Sequence, residues 1–255
     1  MTFERIVLSG IALFLVAVSS AHAANLVSNG GFETLTNGPG SIQSQYGYTT
    51  ATGWSTTGYN FVFGPGTADT TGSYTSQFKG YLHLWGPNNG SANGLPASSP
   101  DGGNFLAADP AYQTAAINQT ISGLTAGQVY EVGFYWGGAQ QTGFSGVTWE
   151  GWQVSLGAET HSTPGDNLHD PGTISNANHG FTGWRYTTLD FTATSGTEVL
   201  SFLSLGGPTG VPPFALLDGV SLQAVPEPSS IALAGIGLLG LGVMRLRRRA
   251  KSAAI

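Results

Sequence analysis

The sequence predicts an all-β protein whose main domain is an antiparallel β-sandwich. Asp, Glu, Lys and Arg together make up only 9% of the 255 residues, too few for the solvent faces of a helix-rich domain or a coiled coil. Between residues 24 and 225 no long helical periodicity is visible. Apolar residues instead alternate in short runs, which are separated by clusters of Gly, Pro, Asn and Ser.

The first part of this domain, roughly residues 34–104, is predicted to consist of long loops with a few strands. It is rich in hydroxyl residues and glycines, and its aromatic residues are scattered. Loops held on a rigid scaffold commonly carry binding sites, so we expect a ligand site among them.

The later part carries clear strand patterns. Gln128–Trp136 is the clearest, because every second residue from Tyr130 to Trp136 is apolar and can face a core. A turn is predicted just before it, over residues 122–127. The other predicted strands are residues 116–121, the alternating Trp152, Val154 and Leu156, and residues 184–192, 197–205 and 214–222.

Residues 1–23 have the features of a signal peptide. Arg5 precedes an apolar run from Ile6 to Val18, and Ala21-His22-Ala23 has the small-x-small pattern that signal peptidase accepts. The run is short for an uncleaved anchor, so we expect export with cleavage after Ala23.

A second apolar stretch lies near the C-terminus. Ile231–Met244 contains no charged residue, and five basic residues follow it within residues 245–251. Such charges stay on the cytoplasmic side of a membrane, so the pattern predicts a transmembrane helix that stops transfer. A tail that binds nucleic acid is excluded, because the signal peptide exports the chain.

The residues that precede this stretch point to a sorting signal. Val225-Pro226-Glu227-Pro228-Ser229-Ser230, a Gly-rich apolar span and an Arg cluster together resemble the PEP-CTERM sorting signal, here residues 225–251. The resemblance implies a Gram-negative bacterium that makes exopolysaccharide. It also implies transient retention in the inner membrane and processing near Pro226-Glu227-Pro228 by an exosortase. Such a signal is an address and does not name the activity of residues 24–224.

The charge of the exported part limits its partners. Between residues 24 and 225 only Lys79 and Arg185 are basic, against twelve acidic residues, which gives a net charge of −10. Such a surface repels nucleic acid and anionic lipid, and it suits a cation or a neutral ligand. Because the chain has no cysteine, disulfides, thiolate metal sites and a cysteine nucleophile are excluded.

Four segments of the domain carry a second resemblance. They are Asn25–Glu33 (NLVSNGGFE), Gly53-Trp54, Pro100–Leu106 (PDGGNFL) and Phe214–Leu222 (FALLDGVSL). Together they resemble the galactose-binding-like jelly rolls, the architecture of many carbohydrate-binding modules. The resemblance implies a jelly-roll sandwich and leaves the ligand open.

Asp218 is the most informative acid. In a regular strand it shares a face with Phe214, Leu216, Val220 and Leu222, where a carboxylate is costly unless it is paired or bound to a cation. In the resembled fold, a Glu in the opening segment and an Asp in the last strand often share a structural calcium ion. The resemblance therefore implies Ca²⁺ between Glu33 and Asp218. In the alternative, each carboxylate accepts backbone N–H bonds at a turn or bulge.

The aromatic residues raise the question of sugar binding. Sugars present C–H faces to aromatic rings and hydroxyls to amides, which leads us to predict Trp85, Trp136, Gln140 and Trp149 as ligand-binding residues. The alternative is that these tryptophans are part of the core.

The histidines are predicted to have no metal-binding role. His161, His169 and His179 lie near Asp166 and Asp170, but their spacing matches no familiar metal site, and a polar surface loop is favoured. His83 alternates with apolar neighbours and is predicted to lie in a strand.

No catalytic signature is present, so a non-catalytic role is predicted. We expect an exported envelope or extracellular-matrix protein that binds exopolysaccharide. The alternatives are a structural or adhesive biofilm matrix protein without a glycan site and, third, a glycan hydrolase or lyase, whose two facing carboxylates a pair among the twelve acids could supply by chance.

Overall fold

The structure is a computed structural model that describes residues 24–36, 51–71 and 82–226. Within these ranges the chain forms ten β-strands and no helix. The strands are β1 (Asn60–Phe63), β2 (Phe105–Ala108), β3 (Ile117–Ser122), β4 (Val129–Gln140), β5 (Thr148–Leu156), β6 (Glu159–Ser162), β7 (Thr173–Asn176), β8 (Arg185–Thr192), β9 (Thr197–Gly207) and β10 (Pro213–Ala224).

The strands form two antiparallel sheets. The first sheet has the order β1-β2-β10-β4-β8, and the second has the order β3-β9-β5-β6, with β7 also pairing with β5. From β3 onward the chain passes repeatedly from one sheet to the other, which is the connectivity of a jelly roll. The predicted all-β jelly-roll sandwich is confirmed. The polar strands β6 and β7 were not predicted, because their short sequences carry no apolar alternation.

The main core lies between the two sheets. On β4 the predicted alternation is confirmed, since Tyr130, Val132, Phe134 and Trp136 are all buried. Trp152 of β5 meets them from the second sheet and donates its indole N–H to the carbonyl of Leu216 at 2.9 Å. The core therefore consists of side chains that recur at every second residue of strands in both sheets and face the space between them.

A second apolar cluster covers the outer face of the first sheet. Phe61 and Phe63 of β1, together with Leu84 from a loop of the loop-rich part, pack there against Phe214 and Leu216 of β10. These loops were expected mainly to surround a ligand site. Much of their described length instead buries apolar surface, because the outward residues at this end of β10 are themselves apolar.

A β-bulge divides β10 next to Asp218. The pairing register with β4 shifts between Asp218 and Ser221, and Gly219 there adopts a φ of 58°. The extra residue turns Val220 and Leu222 into the main core, while Asp218 stays on the outer face. The prediction of one common face for these three residues is therefore wrong.

Several predicted features lie outside the described residues. They are the signal peptide at 1–23, the apolar stretch at 231–244 and its basic tail. Across residues 24–36, 51–71 and 82–226, no helix has the length and apolar character needed to cross a membrane.

Candidate functional site

The opening segment of the domain lies along β10. The backbone N–H of Leu26 donates to the carbonyl of Leu222, and the N–H of Val220 donates to the carbonyl of Gly30. The side chain of Asn29 closes the turn through bonds to Thr34. The opening segment is thus held against β10, and this brings Glu33 of the segment near Asp218 of the strand.

Three carboxylates surround Gly31. A side-chain carbon at position 31 would lie 3.1 Å from Oδ2 of Asp101 and 3.8 Å from Oδ1 of Asp218. The same point is 3.8 Å from the Cγ of Glu33, whose Oε1 accepts the backbone N–H of Asn104 at 2.7 Å. We call Glu33, Asp101 and Asp218 the acid cluster. The resemblance implied that Glu33 and Asp218 are neighbours, and it assigned no role to Asp101.

Asp218 is the buried member of the acid cluster. It accepts a hydrogen bond from the Ser99 hydroxyl through Oδ2, while Oδ1 has no hydrogen-bond partner. The pKa of Asp218 is raised to about 7, mainly by burial and to a smaller extent by the nearby charges of Asp101 and Glu33, while the hydrogen bonds from Ser99 and the Gly219 backbone act in the opposite direction. The site therefore holds a carboxylate that is short of positive charge.

The acid cluster fits a hard cation in its chemistry. Carboxylate oxygens are donors that Ca²⁺ takes, and Oδ1 of Asp218, which has no partner among the described residues, is available to such an ion. However, no group of three acidic, histidine or cysteine side chains among the described residues, the acid cluster included, is arranged so that it could hold a metal ion as it stands. Glu33 and Asp218 would hold the ion.

A separate pocket of about 420 Å³ opens at one end of the sandwich, which we call the loop-end pocket. It lies between the loops that follow β2 and β4 and the loop that joins β9 to β10. Tyr112 is 48% exposed there, and its ring meets the buried ring of Tyr59 edge to face at 5.1 Å. The other lining residues are Asp109, Ala111, Gln141, Thr209, Gly210 and Pro212.

Asp109 is fixed at the floor of the loop-end pocket. Its Oδ1 accepts the backbone N–H groups of Ala111 at 2.7 Å and Tyr112 at 3.2 Å. Burial raises the pKa of Asp109 to about 7, although these two bonds favour the charged form. A rigid, desolvated carboxyl beside an exposed aromatic ring can form hydrogen bonds with hydroxyl groups of a ligand.

Sequence reasoning missed this pocket. The segment Asp109-Pro110-Ala111-Tyr112-Gln113, between two strands, combines turn residues with an aromatic ring and an amide and could have drawn attention to it. Its partners Thr209, Gly210 and Pro212 are about a hundred residues away in sequence, and only the fold joins them.

Two of the predicted ligand residues are structural. Trp136 has no exposed surface and donates its indole N–H to the Thr187 hydroxyl, so its prediction as a sugar-binding ring is wrong. Gln140 is also fully buried. Its amide oxygen accepts the N–H of His179, and its amide nitrogen donates to the carbonyl of Gly146, which ties two loops together. Both residues lie on β4. Trp136 faces the core, and Gln140 faces the loops at the end of the strand.

Trp85 and Trp149 are half-buried, and each is stacked on a histidine. Trp85 lies 4.0 Å from the ring of His179, and Trp149 lies 4.1 Å from the ring of His169. The indole N–H of Trp149 also donates to Asp170. The histidines therefore have packing roles and do not converge, and sugar binding by the two tryptophans stays a prediction.

His83 does not lie in a regular strand. It sits beside Leu84, whose only sheet-like pairing is an isolated bridge to Gln141, and it is buried with its Nδ1 at 3.3 Å from the Thr70 hydroxyl. The alternation of His83 with apolar neighbours, which predicted a strand, therefore belongs to a loop that covers the outer face of the first sheet.

The chain that follows β10 carries the sorting motif. After Ala224 it continues as Val225-Pro226-Glu227-Pro228-Ser229-Ser230. Residues 224–249 match the PEP-CTERM protein-sorting motif. The predicted PEP-CTERM signal is thereby confirmed, and it implies processing by an exosortase and a route to the cell surface.

One curated relative aligns with most of this chain. Halomucin from Haloquadratum walsbyi is 29% identical over 229 residues, which cover 89% of this chain and 2% of halomucin. The chain thus spans a very small part of that much longer protein.

Similar solved structures include carbohydrate-binding modules. TmCBM61, solved in complex with β-1,4-galactotriose, is 17% identical with a TM-score of 0.34, and the match covers 80% of this chain and 100% of that one. The CBM22-1 xylan-binding domain of Paenibacillus barcinonensis Xyn10C is 14% identical with a TM-score of 0.35, over 81% of this chain and 98% of that one.

Proposed function

We propose that this protein is an exported, non-catalytic glycan-binding module and that the loop-end pocket is its sugar site. The PEP-CTERM motif directs it through exosortase processing to the cell surface or extracellular matrix of a Gram-negative bacterium. The polysaccharide of that matrix is its partner. A Ca²⁺ ion held by Glu33 and Asp218 stabilises the module without taking part in sugar binding.

The composition of the loop-end pocket carries the proposal. The exposed ring of Tyr112 offers a flat apolar face for the C–H face of a sugar, and the Tyr59 ring supports it from the side. Asp109 and Gln141 line the same cavity and can bond to sugar hydroxyls. One aromatic face combined with a few fixed polar groups is the usual composition of a sugar site.

The same pocket argues for binding without catalysis. Glycosidases use two carboxyl groups that flank the scissile bond. Within the described part of the chain, Asp109 is the single acid that lines the loop-end pocket. A ligand can therefore be held there, but the pocket offers no second carboxylate to cleave it.

Charge favours a neutral glycan at this pocket. The domain has a net charge of −10, and the described residues that line the pocket include no lysine or arginine. A polysaccharide of uronic acids would meet the Asp109 carboxyl without a compensating cation. Neutral oligosaccharides are therefore the probes of choice.

Replacing Tyr112 with Ala is expected to weaken binding of neutral oligosaccharides about five- to tenfold, because stacking on an aromatic face contributes on the order of 1 kcal/mol. Titration calorimetry with β-1,4-galactotriose, xylohexaose and cellohexaose measures the effect. Phe144→Ala is the matched control, since Phe144 is an exposed aromatic residue and is not among the residues that line the pocket. Equal affinities of Tyr112→Ala and the unaltered protein for every sugar that binds would rule the pocket out.

A further inference from the structure

A second cavity of about 390 Å³ lies on the outer face of the first sheet, and we call it the tyrosine groove. It is bounded by β4, β8, the bulge of β10 and the opening segment. The residues that matter for its chemistry are Asp101, Tyr135, Tyr186, Ser221 and the backbone of Gly30 and Gly31. None of them lines the loop-end pocket.

Tyr186 forms the floor of the tyrosine groove. A side-chain carbon at Gly133 of β4 would overlap the Tyr186 hydroxyl, so the ring lies across the strand where glycine leaves room for it. The ring is 55% exposed, and its centroid is 5.0 Å from that of Tyr135, which is tilted by 57°. The groove thus presents a supported, open aromatic face beside a second ring.

Asp101 places negative charge at the rim of this aromatic floor. A side-chain carbon at Gly219 would lie 3.0 Å from both the carboxyl carbon of Asp101 and a ring carbon of Tyr135, so the two groups are close neighbours. Asp101 is exposed, whereas Asp218 lies buried behind it. A hard cation held between Glu33 and Asp218 would therefore leave Asp101 facing the groove.

No basic side chain is among the described residues that line the tyrosine groove. Arg185 precedes Tyr186 in β8 but turns to the opposite face, where its guanidinium lies 5.9 Å from the ring of Trp136 and donates to the carbonyl of Thr182. The groove consequently combines aromatic faces with an excess of carboxylate. This combination attracts a cation that also has an apolar face.

We propose that the tyrosine groove binds an amino sugar with a free, protonated amine. The sugar ring stacks on Tyr186, its ammonium group pairs with the Asp101 carboxylate, and its hydroxyls reach Ser221 and the Gly30-Gly31 backbone. An ammonium group gains from both the carboxylate and the aromatic faces, whereas an N-acetyl group removes that charge. This site is independent of the sugar site in the loop-end pocket and would give the protein two distinct glycan contacts.

The test compares two tetrasaccharides with the same backbone, a β-1,4-linked glucosamine tetramer and its fully N-acetylated form. Titrations are run at mildly acidic pH in about 0.15 M salt, where the Debye length is about 8 Å and distant charges are screened. We expect the glucosamine tetramer to bind at least tenfold more tightly than the acetylated one. Tyr186→Ala should weaken its binding about tenfold, Tyr186→Phe should retain it, and Asp101→Asn should remove the preference for the free amine.

A control variant separates this site from the alternatives. Glu131→Gln removes the same charge from an exposed position on β4 and should leave the preference for the free amine intact. Loss of that preference in Glu131→Gln would show that attraction to the net charge alone explains binding. The loop-end pocket can fail its own test without affecting this result. Equal affinity for the two tetramers, or an unchanged preference in Asp101→Asn, would overturn the proposal. Thermal denaturation of each variant confirms that it is folded.

Discussion

Replacing Glu150 with glutamine is expected to make the protein more stable, by a margin that grows as the pH rises. Glu150 lies on β5 with no exposed surface, and its carboxyl group packs against Gly138 of β4 in the opposite sheet. Neither of its oxygens has a hydrogen-bond partner. Burial raises the pKa of Glu150 well above 4.5, and the nearby polar side chains of Thr148 and Asn176 offset only part of that effect.

The direction of this pH dependence follows from the number of protons that the folded and unfolded states bind. At any pH between the pKa of Glu150 in the unfolded chain and its raised pKa in the folded protein, the folded state holds a proton that the unfolded state has released. The free energy of unfolding therefore falls as the pH rises, by about 1.4 kcal/mol per pH unit over that interval. Glutamine has a similar shape and no titration, so this loss disappears in Glu150→Gln.

Urea denaturation of both proteins across mildly acidic to mildly alkaline pH measures the difference. Asp109 and Asp218, whose pKa values burial raises to about 7, contribute equally to both proteins and cancel in the comparison. The exposed Glu131, changed to Gln, is the matched control and should leave the pH dependence unchanged. Parallel curves for Glu150→Gln and the unaltered protein would show that Glu150 is ionised in the fold.

Calcium is expected to raise the melting temperature of chelator-treated protein. An ion that binds only the folded state stabilises it by about 2.7 kcal/mol at a free concentration one hundred times its dissociation constant. Magnesium should have a smaller effect, because it demands tighter octahedral geometry. The acid cluster supplies the reason, since Asp218 is buried with Oδ1 unpartnered and close to two further acids.

The variants Asp218→Asn and Glu33→Gln should each abolish most of the calcium-dependent rise. Removal of a buried acid also changes the baseline stability, so the increment caused by calcium is the quantity to compare. Exposed Glu131→Gln should keep the full increment. If neither calcium nor chelator changes the melting temperature, the calcium site is contradicted, and Glu33 and Asp218 are hydrogen-bonded turn residues.

The strands could be predicted from the sequence because burial on one face imposes a period of two. Tyr130, Val132, Phe134 and Trp136 show that pattern and form the core side of β4. The bulge at Gly219 could not be predicted, since a single extra residue changes the face of everything after it without changing the composition.

The binding residues were harder to predict than the strands. Residue type alone favoured Trp136, but its burial depends on the second sheet that packs over it. Tyr112 is a candidate because it lines a pocket between loops that meet only in the folded chain. The resemblance paired Glu33 with Asp218, and the structure places both near Gly31, but a calcium ion between them stays a prediction. Asp101 joins the acid cluster through the turn that follows Ser99.

The most direct test of glycan binding at the loop-end pocket is a structure determined with a bound neutral oligosaccharide. We predict that one sugar ring lies over Tyr112, that its hydroxyls bond to Asp109 and Gln141, and that the sandwich is unchanged. A sugar bound over Trp149 or Trp85 instead, with the loop-end pocket empty, would contradict the account.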